Sequence, residues 1–128
     1  MLNPNFTLLY VDQPLRSAAF YGDLLGCAPV ESGPTFAMFV LPTGLKLGLW
    51  SKHTVEPAFE AAKGGPGGGA ELVFTVDSAE AVEAAHAAWK AKGLPILQAP
   101  VAMDFGRTFV ALDPDGHRLR VYFPEENA

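Results

Sequence analysis

One order of segments occurs twice along this chain of 128 residues. The run FTLLYV, Phe6 to Val11, is short, apolar and rich in aromatic and branched residues, as a buried strand should be. Asp12 and Pro14 follow as helix-start signals: a carboxylate able to cap free amides, then a proline whose missing N–H costs nothing in a first turn. Leu15, Ala18, Ala19, Leu24 and Leu25 carry a helical stripe that stops at Gly26. Strands are expected at 28–31, 36–41 and 45–50, with Gly33-Pro34 and Pro42-Thr43-Gly44 as the turns between them. Past the middle the order recurs. A strand is expected at 71–76, then a helix capped by Asp77 with Glu80 three residues on, packed through Ala81, Ala85, Ala88 and Trp89 and ended by Gly93. Strands at 97–103, 108–112 and 118–123 complete it. Val11 lies 65 positions before Val76 and Gly26 lies 67 before Gly93, so the strand–helix junctions repeat at nearly one interval. The expected fold is α+β: one domain made of two tandem β-α-β-β-β modules, 1–51 and 70–128, forming a curved mixed sheet around a 52–69 linker.

The linker ends in Gly64-Gly65-Pro66-Gly67-Gly68-Gly69, which lacks the Lys-Ser/Thr and helix of a phosphate loop and reads as a flexible connection. Nine cationic residues against fourteen acidic ones give a net charge of −5 without a basic cluster, which argues against a nucleic-acid partner. The chain shows neither a long apolar span nor a basic, apolar leader, so a cytoplasmic protein with no membrane partner is expected. Cys27 is alone, so no intramolecular disulfide is available. His53, His86 and His117 fall in the linker, the second helix and a late turn, and no motif sets one beside a nucleophile and an orienting acid. The catalytic set is therefore expected to be empty.

Tyr10-Val11-Asp12, Arg16-Ser17, Phe20-Tyr21 and Leu24-Leu25-Gly26 at the start, with Asp113-Pro114-Asp115-Gly116-His117 before the last strand, resemble the vicinal oxygen chelate superfamily of glyoxalases, bleomycin-resistance proteins and extradiol dioxygenases. Leu49-Trp50-Ser51 and Phe105-Gly106-Arg107-Thr108-Phe109 are most similar to phenazine-resistance binding proteins within it. The resemblance implies the glyoxalase/bleomycin-resistance fold and a homodimer with exchanged modules. Pro114 and Gly116 also have a purely local reading as turn residues between two strands.

In metal-dependent relatives four strand positions face the metal, and the resemblance carries them onto Phe6, Gly48, Glu71 and Arg120. Phe and Gly side chains cannot ligate, and a guanidinium opposes a cation. No metal and no cofactor are expected. Residues two apart on a strand share a face. Phe6, Leu8 and Tyr10 therefore point together, as do Lys46, Gly48 and Trp50; Glu71, Val73 and Thr75; and Arg118, Arg120 and Tyr122. The opposite faces are aliphatic and aromatic and belong under the helices. The candidate ligand-binding set is Phe6, Leu8, Tyr10, Lys46, Gly48, Trp50, Glu71, Val73, Arg120 and Tyr122, with Thr108 and Val110 from the neighbouring strand. Gly48 is expected to leave room for a ring beside Trp50. Trp50 reads equally as a packing residue, and Glu71 with Arg120 as a structural ion pair in the place of a metal.

The function expected is sequestration of a small planar aromatic compound, such as a phenazine-type or bleomycin-type antibiotic, by a metal-free binding protein. A glyoxalase-like lyase or isomerase with a rearranged site, using Glu71 as a base, is the alternative. A structural or regulatory dimer without a ligand is the third. The expected partners are a small aromatic ligand and a second copy of the chain.

Overall fold

Short strands rich in branched and aromatic residues pair into two mixed sheets. The computed structural model describes residues 4–56 and 70–125. The chain divides into two compact units, Met1–Gly65 and Pro66–Ala128. In the first unit β1 (Phe6–Val11) leads to α1 (Pro14–Leu25), then β2 (Glu31–Ser32), β3 (Phe36–Val40) and β4 (Lys46–Ser51). The sheet order is β1-β4-β3-β2, with β1 parallel to β4 and the other pairs antiparallel. Leu9, Val11, Ala37, Phe39, Leu47 and Leu49 are buried on one face, with Ala18 and Tyr21 of α1. Burying a side chain of this size contributes about 1.5–3 kcal/mol relative to leaving it exposed, so this face fixes the register.

The second unit repeats the plan. β5 (Glu71–Thr75), α2 (Ala79–Ala91), β6 (Ile96–Met103), β7 (Gly106–Leu112) and β8 (Arg118–Pro124) form a sheet of order β5-β8-β7-β6, with β5 parallel to β8. Trp89 of α2 meets Phe74 and Phe109 edge-on, each at 5.4 Å between ring centroids, over the buried Leu119 and Val121. Asp113 Oδ1 accepts from the backbone amides of Asp115 and His117, and Gly116 takes a φ of +85°, so this segment is the turn its local chemistry predicts.

The strands pair as two four-stranded mixed sheets, one per unit, as two tandem modules require. Several local expectations, mostly at element ends, need correcting. Asp12 does not cap α1: the N-cap is Gln13, without a side-chain hydrogen bond. In α2 the cap is Ser78, not Asp77; its Oγ accepts from Ala81 N at 3.0 Å because it lies one residue closer to the free amides. The strand expected at 28–31 is reduced to Glu31–Ser32, since Pro29 has no N–H to place in a ladder. His86 is half-buried against Phe109, at 5.3 Å between centroids. Of the 52–69 linker, 57–69 lies outside the described residues. Among the described residues no helix is long and apolar enough to cross a membrane.

Candidate functional site

In the second unit, parallel pairing sets Val73 beside Arg120 and Glu71 beside Arg118, so the ends of β5 and β8 bring one carboxylate against two guanidinium groups on one sheet face. Arg120 Nε donates to Glu71 Oε1 at 2.9 Å and Nη2 donates to Oε2 at 3.1 Å, a two-pronged pair. Nη1 donates to Thr108 Oγ1 at 3.1 Å, and that hydroxyl donates in turn to the carbonyl of Val121 at 2.8 Å. The hydrogen bonds from Arg120 hold the Glu71 carboxyl below its ordinary value, with the charges of Arg120 and Arg118 adding to them against the opposing effect of burial.

Phe105 closes the arrangement from the β6–β7 turn. Its ring lies edge-on to Tyr122 at 5.9 Å, and the Arg120 guanidinium sits 5.7 Å from its centroid, within cation–π range. Its backbone is fixed from both sides. Its carbonyl accepts from Glu125 N at 3.1 Å, and the next residue, Gly106, has φ +137° and lies so close to β8 that a Cβ there would come 2.0 Å from the Phe123 carbonyl oxygen. Glu71, Val73, Phe105, Arg120 and Tyr122 line an open cavity of about 440 Å³. Such a volume admits a fused-ring molecule.

Thr108 and Val110 share this face but are 0% and 1% exposed, so they lie beneath the cavity floor, Thr108 as a support for Arg120. Phe105 was absent from the expected set because it sits in a turn, where strand alternation assigns no face. The FGRTF stretch that contains it was the available signal.

The first unit presents an aromatic face of its own. Register places Tyr10, Trp50 and Phe36 in one row and Leu8, Gly48 and Met38 in the next. Phe6, Leu8 and Tyr10 are exposed, while Trp50 is half-buried and meets Phe36 edge-on at 6.4 Å. Lys46 Nζ stands 5.9 Å from the Phe6 ring centroid. The expected room over Gly48 is taken: a Cβ there would meet Leu8 Cδ2 at 2.6 Å, Phe6 Cε1 at 2.8 Å and Phe36 Cε1 at 3.3 Å. These apolar side chains fold over the glycine, so a ring approaching its backbone must first displace them. Where β1 and β4 end, His53 Nε2 lies 2.6 Å from Asp12 Oδ1, and this contact holds the Asp12 carboxyl below its ordinary value.

The donor set does not fit a metal. Phe6 and Gly48 offer no side-chain donor, both Glu71 oxygens accept from Arg120, and Arg120 is itself a cation. Among the described residues no group of three or more His, Cys, Asp or Glu side chains could hold an ion.

A family model described as Glyoxalase/Bleomycin resistance protein/Dioxygenase superfamily matches residues 3–121. The chain is 29% identical over 123 residues to the phenazine antibiotic resistance protein EhpR of Enterobacter agglomerans, covering 94% of this chain and 91% of that protein. It is 54% identical to protein ATC0852 of Agrobacterium tumefaciens, whose solution NMR structure superposes with a TM-score of 0.88 over 98% of this chain and 99% of that one. A glyoxalase/bleomycin resistance protein/dioxygenase from Nocardioides, 22% identical, shares the fold with a TM-score of 0.81, covering 100% of this chain and 87% of that one.

Proposed function

Because the chain belongs to the glyoxalase/bleomycin resistance protein/dioxygenase superfamily, we propose that it binds a planar aromatic acid of the phenazine type and holds it without chemical change. The observation that carries this reading is the Glu71–Arg120–Thr108 chain beneath Phe105 and Tyr122. A guanidinium carries five N–H donors. Among the described residues three of Arg120's are used, which leaves two for a ligand carboxylate. Phe105 and Tyr122 supply apolar ring surface in the same cavity. The likeness to EhpR, a phenazine antibiotic resistance protein, supports a tricyclic ligand class.

A lyase or isomerase reading is less well supported. It needs Glu71 as a general base, and a carboxylate already bonded through both oxygens and held below its ordinary pKa accepts a substrate proton poorly. Isothermal titration of phenazine-1-carboxylic acid into the protein, with the ligand recovered and its mass compared before and after, tests the proposal. Saturable binding to an unaltered ligand is expected. Consumption of the ligand, or no heat with any aromatic acid, overturns it.

A further inference from the structure

Strict alternation along β6 assigns Gln98 and Val101 to opposite faces, because they are an odd number of residues apart. The structure puts them on one face. Ile96 pairs with Ala111, Gln98 with Val110 and Val101 with Thr108, with register shifts on both sides of Gln98. Val110 and Thr108 lie on the sheet face that carries Arg120 and Tyr122, so the shifts turn Gln98 and Val101 onto that face as well. Bulges of this kind on an edge strand re-aim side chains and are common beside functional sites.

The result is a second depression, about 390 Å³, lined by Gln98, Val101, Ala102, Met103, Asp104 and Phe105. Phe105 lines both this depression and the Arg120 cavity. The two spaces differ in charge. Glu71 is already engaged by Arg120 in the first, which leaves guanidinium N–H groups to offer. The second offers acceptors. Gln98 Oε1 is buried and has no hydrogen-bond partner among the described residues, and Asp104 is an exposed carboxylate. Val101 and Met103, both more than a third exposed, supply the apolar remainder. An orphaned buried oxygen is unfavourable until a donor reaches it. The terminal torsion of a glutamine is soft, so a modest turn presents that oxygen to an incoming N–H.

We propose that this depression is a subsite for a primary ammonium group, taking the amine-bearing arm of a ligand whose planar body lies against Phe105. Asp104 supplies the counter-charge, Gln98 Oε1 becomes an acceptor once its amide turns outward, and Val101 with Met103 covers the methylenes of the arm. The inference rests on the aromatic-acid reading above and adds a second end to the same ligand. The ligand class is then amphoteric: an acid at Arg120 and an amine beyond Phe105.

The subsite is testable apart from the acid site. Protein labelled on methionine methyls and glutamine side-chain amides is titrated by NMR with 2-phenylethylammonium, and with 2-phenylethanol as the uncharged control. Saturable shifts of the Met103 methyl and the Gln98 side-chain amide are expected with the ammonium only. The apparent affinity should fall about tenfold in Asp104→Asn, the loss of one charge-assisted hydrogen bond. Gln98→Leu, which keeps the bulk and removes the orphaned acceptor, should fold normally and weaken the ammonium at least threefold, or roughly half the logarithmic effect of Asp104. Shifts of equal size with the alcohol, or no shifts at these residues, overturn the subsite. Phenazine-1-carboxylic acid titrated in parallel reads the Arg120 cavity. Its binding without any ammonium effect leaves the acid reading standing and removes this one. Its failure beside a clear ammonium effect removes the acid reading and confines the proposal to an amine site.

Discussion

Replacing Arg120 by alanine and Glu71 by glutamine should move ligand affinity in opposite directions, and the geometry sets both magnitudes. Arg120 has two N–H groups beyond those bonded to Glu71 and Thr108. Each hydrogen bond to a charged acceptor is worth about 1.5–3 kcal/mol. The side chain is 18% exposed, so solvent screens these bonds only partly. Arg120→Ala should therefore weaken an aromatic carboxylate by about 3 kcal/mol, or roughly 150-fold, and its methyl ester far less. The fold should survive. Losing the pair with Glu71 costs about 1–2 kcal/mol, against a total of about 5–15 for a domain. Glu71→Gln keeps an oxygen for Arg120 but removes a negative charge close to where the ligand's carboxylate lies. At an effective dielectric between water and the protein surface, that repulsion is on the order of 1 kcal/mol, so affinity for the acid should rise about three- to tenfold. The assay is calorimetric titration of phenazine-1-carboxylic acid and its methyl ester into each variant, with thermal melts alongside. If Glu71→Gln weakens the acid, Glu71 contacts the ligand directly and the assignment of donor and counter-ion is wrong. Unchanged affinity in a folded Arg120→Ala protein refutes the reasoning altogether.

Gly106→Ala should lower the melting temperature by more than about 10 °C, because its Cβ would come 2.0 Å from a backbone oxygen that cannot swing aside. Gly48→Ala, whose Cβ has the side-chain ends of Leu8, Phe6 and Phe36 as its nearest neighbours, should stay within about 1 kcal/mol of wild type, and similar melts for the two would refute this contrast. The Glu71 carboxyl has its pKa lowered in the folded chain from an ordinary 4.5, so its stabilisation is complete above that value and is lost as pH falls through the folded one. The stability gap between wild type and Glu71→Gln should accordingly close on acidification below about pH 4.5, as melts across pH will show; a gap that widens there contradicts the sign. If the Tyr10–Trp50–Phe36 row takes a planar ring, Trp50→Ala should weaken an aromatic ligand by about 2 kcal/mol; a lower melting temperature with unchanged affinity means that Trp50 only packs on Phe36. The exposed Phe6, Leu8 and Tyr10 on edge strand β1 predict self-association, and light scattering at micromolar concentration should give twice the chain mass, a monomer refuting it.

Much of the fold is written in short-range signals. The register of β4 and β8 follows from Leu47, Leu49, Leu119 and Val121, because a slip of one residue would turn all of them to the other face. Gly26 ends α1 for a reason visible in sequence: it takes φ +70°, which a side chain disfavours. The helix starts are less legible. Asp12 precedes α1 and Asp77 precedes α2, and only three-dimensional placement shows that Asp12 meets His53 while at α2 the hydroxyl of Ser78, the residue after Asp77, caps. Pro29 shortens β2 by a mechanism the sequence does contain, since a residue without an N–H weakens any ladder it enters.

The site divides along the same line. Glu71, Val73, Arg120 and Tyr122 come from regular strands, where alternation predicts a shared face, and the structure puts all four around one cavity. Gly48 shows the limit of that logic. Alternation gives the face of a residue but not what its neighbours do with the vacant space, and here Leu8 and Phe6 cover it. Phe105 and Gln98 are harder still. One sits in a turn and the other between two register shifts, so neither inherits a face from its position in the sequence. Yet each has a local cause. Gly106 is the one residue type that tolerates φ +137° against β8, and its fit fixes the Phe105 backbone beside it. Pro100, with no amide hydrogen, sits within the second shift, where a ladder bond is absent in any case. Glycine and proline thus interrupt the strand pattern beside Phe105, which lines both cavities, and near Gln98, whose amide oxygen finds no partner among the described residues.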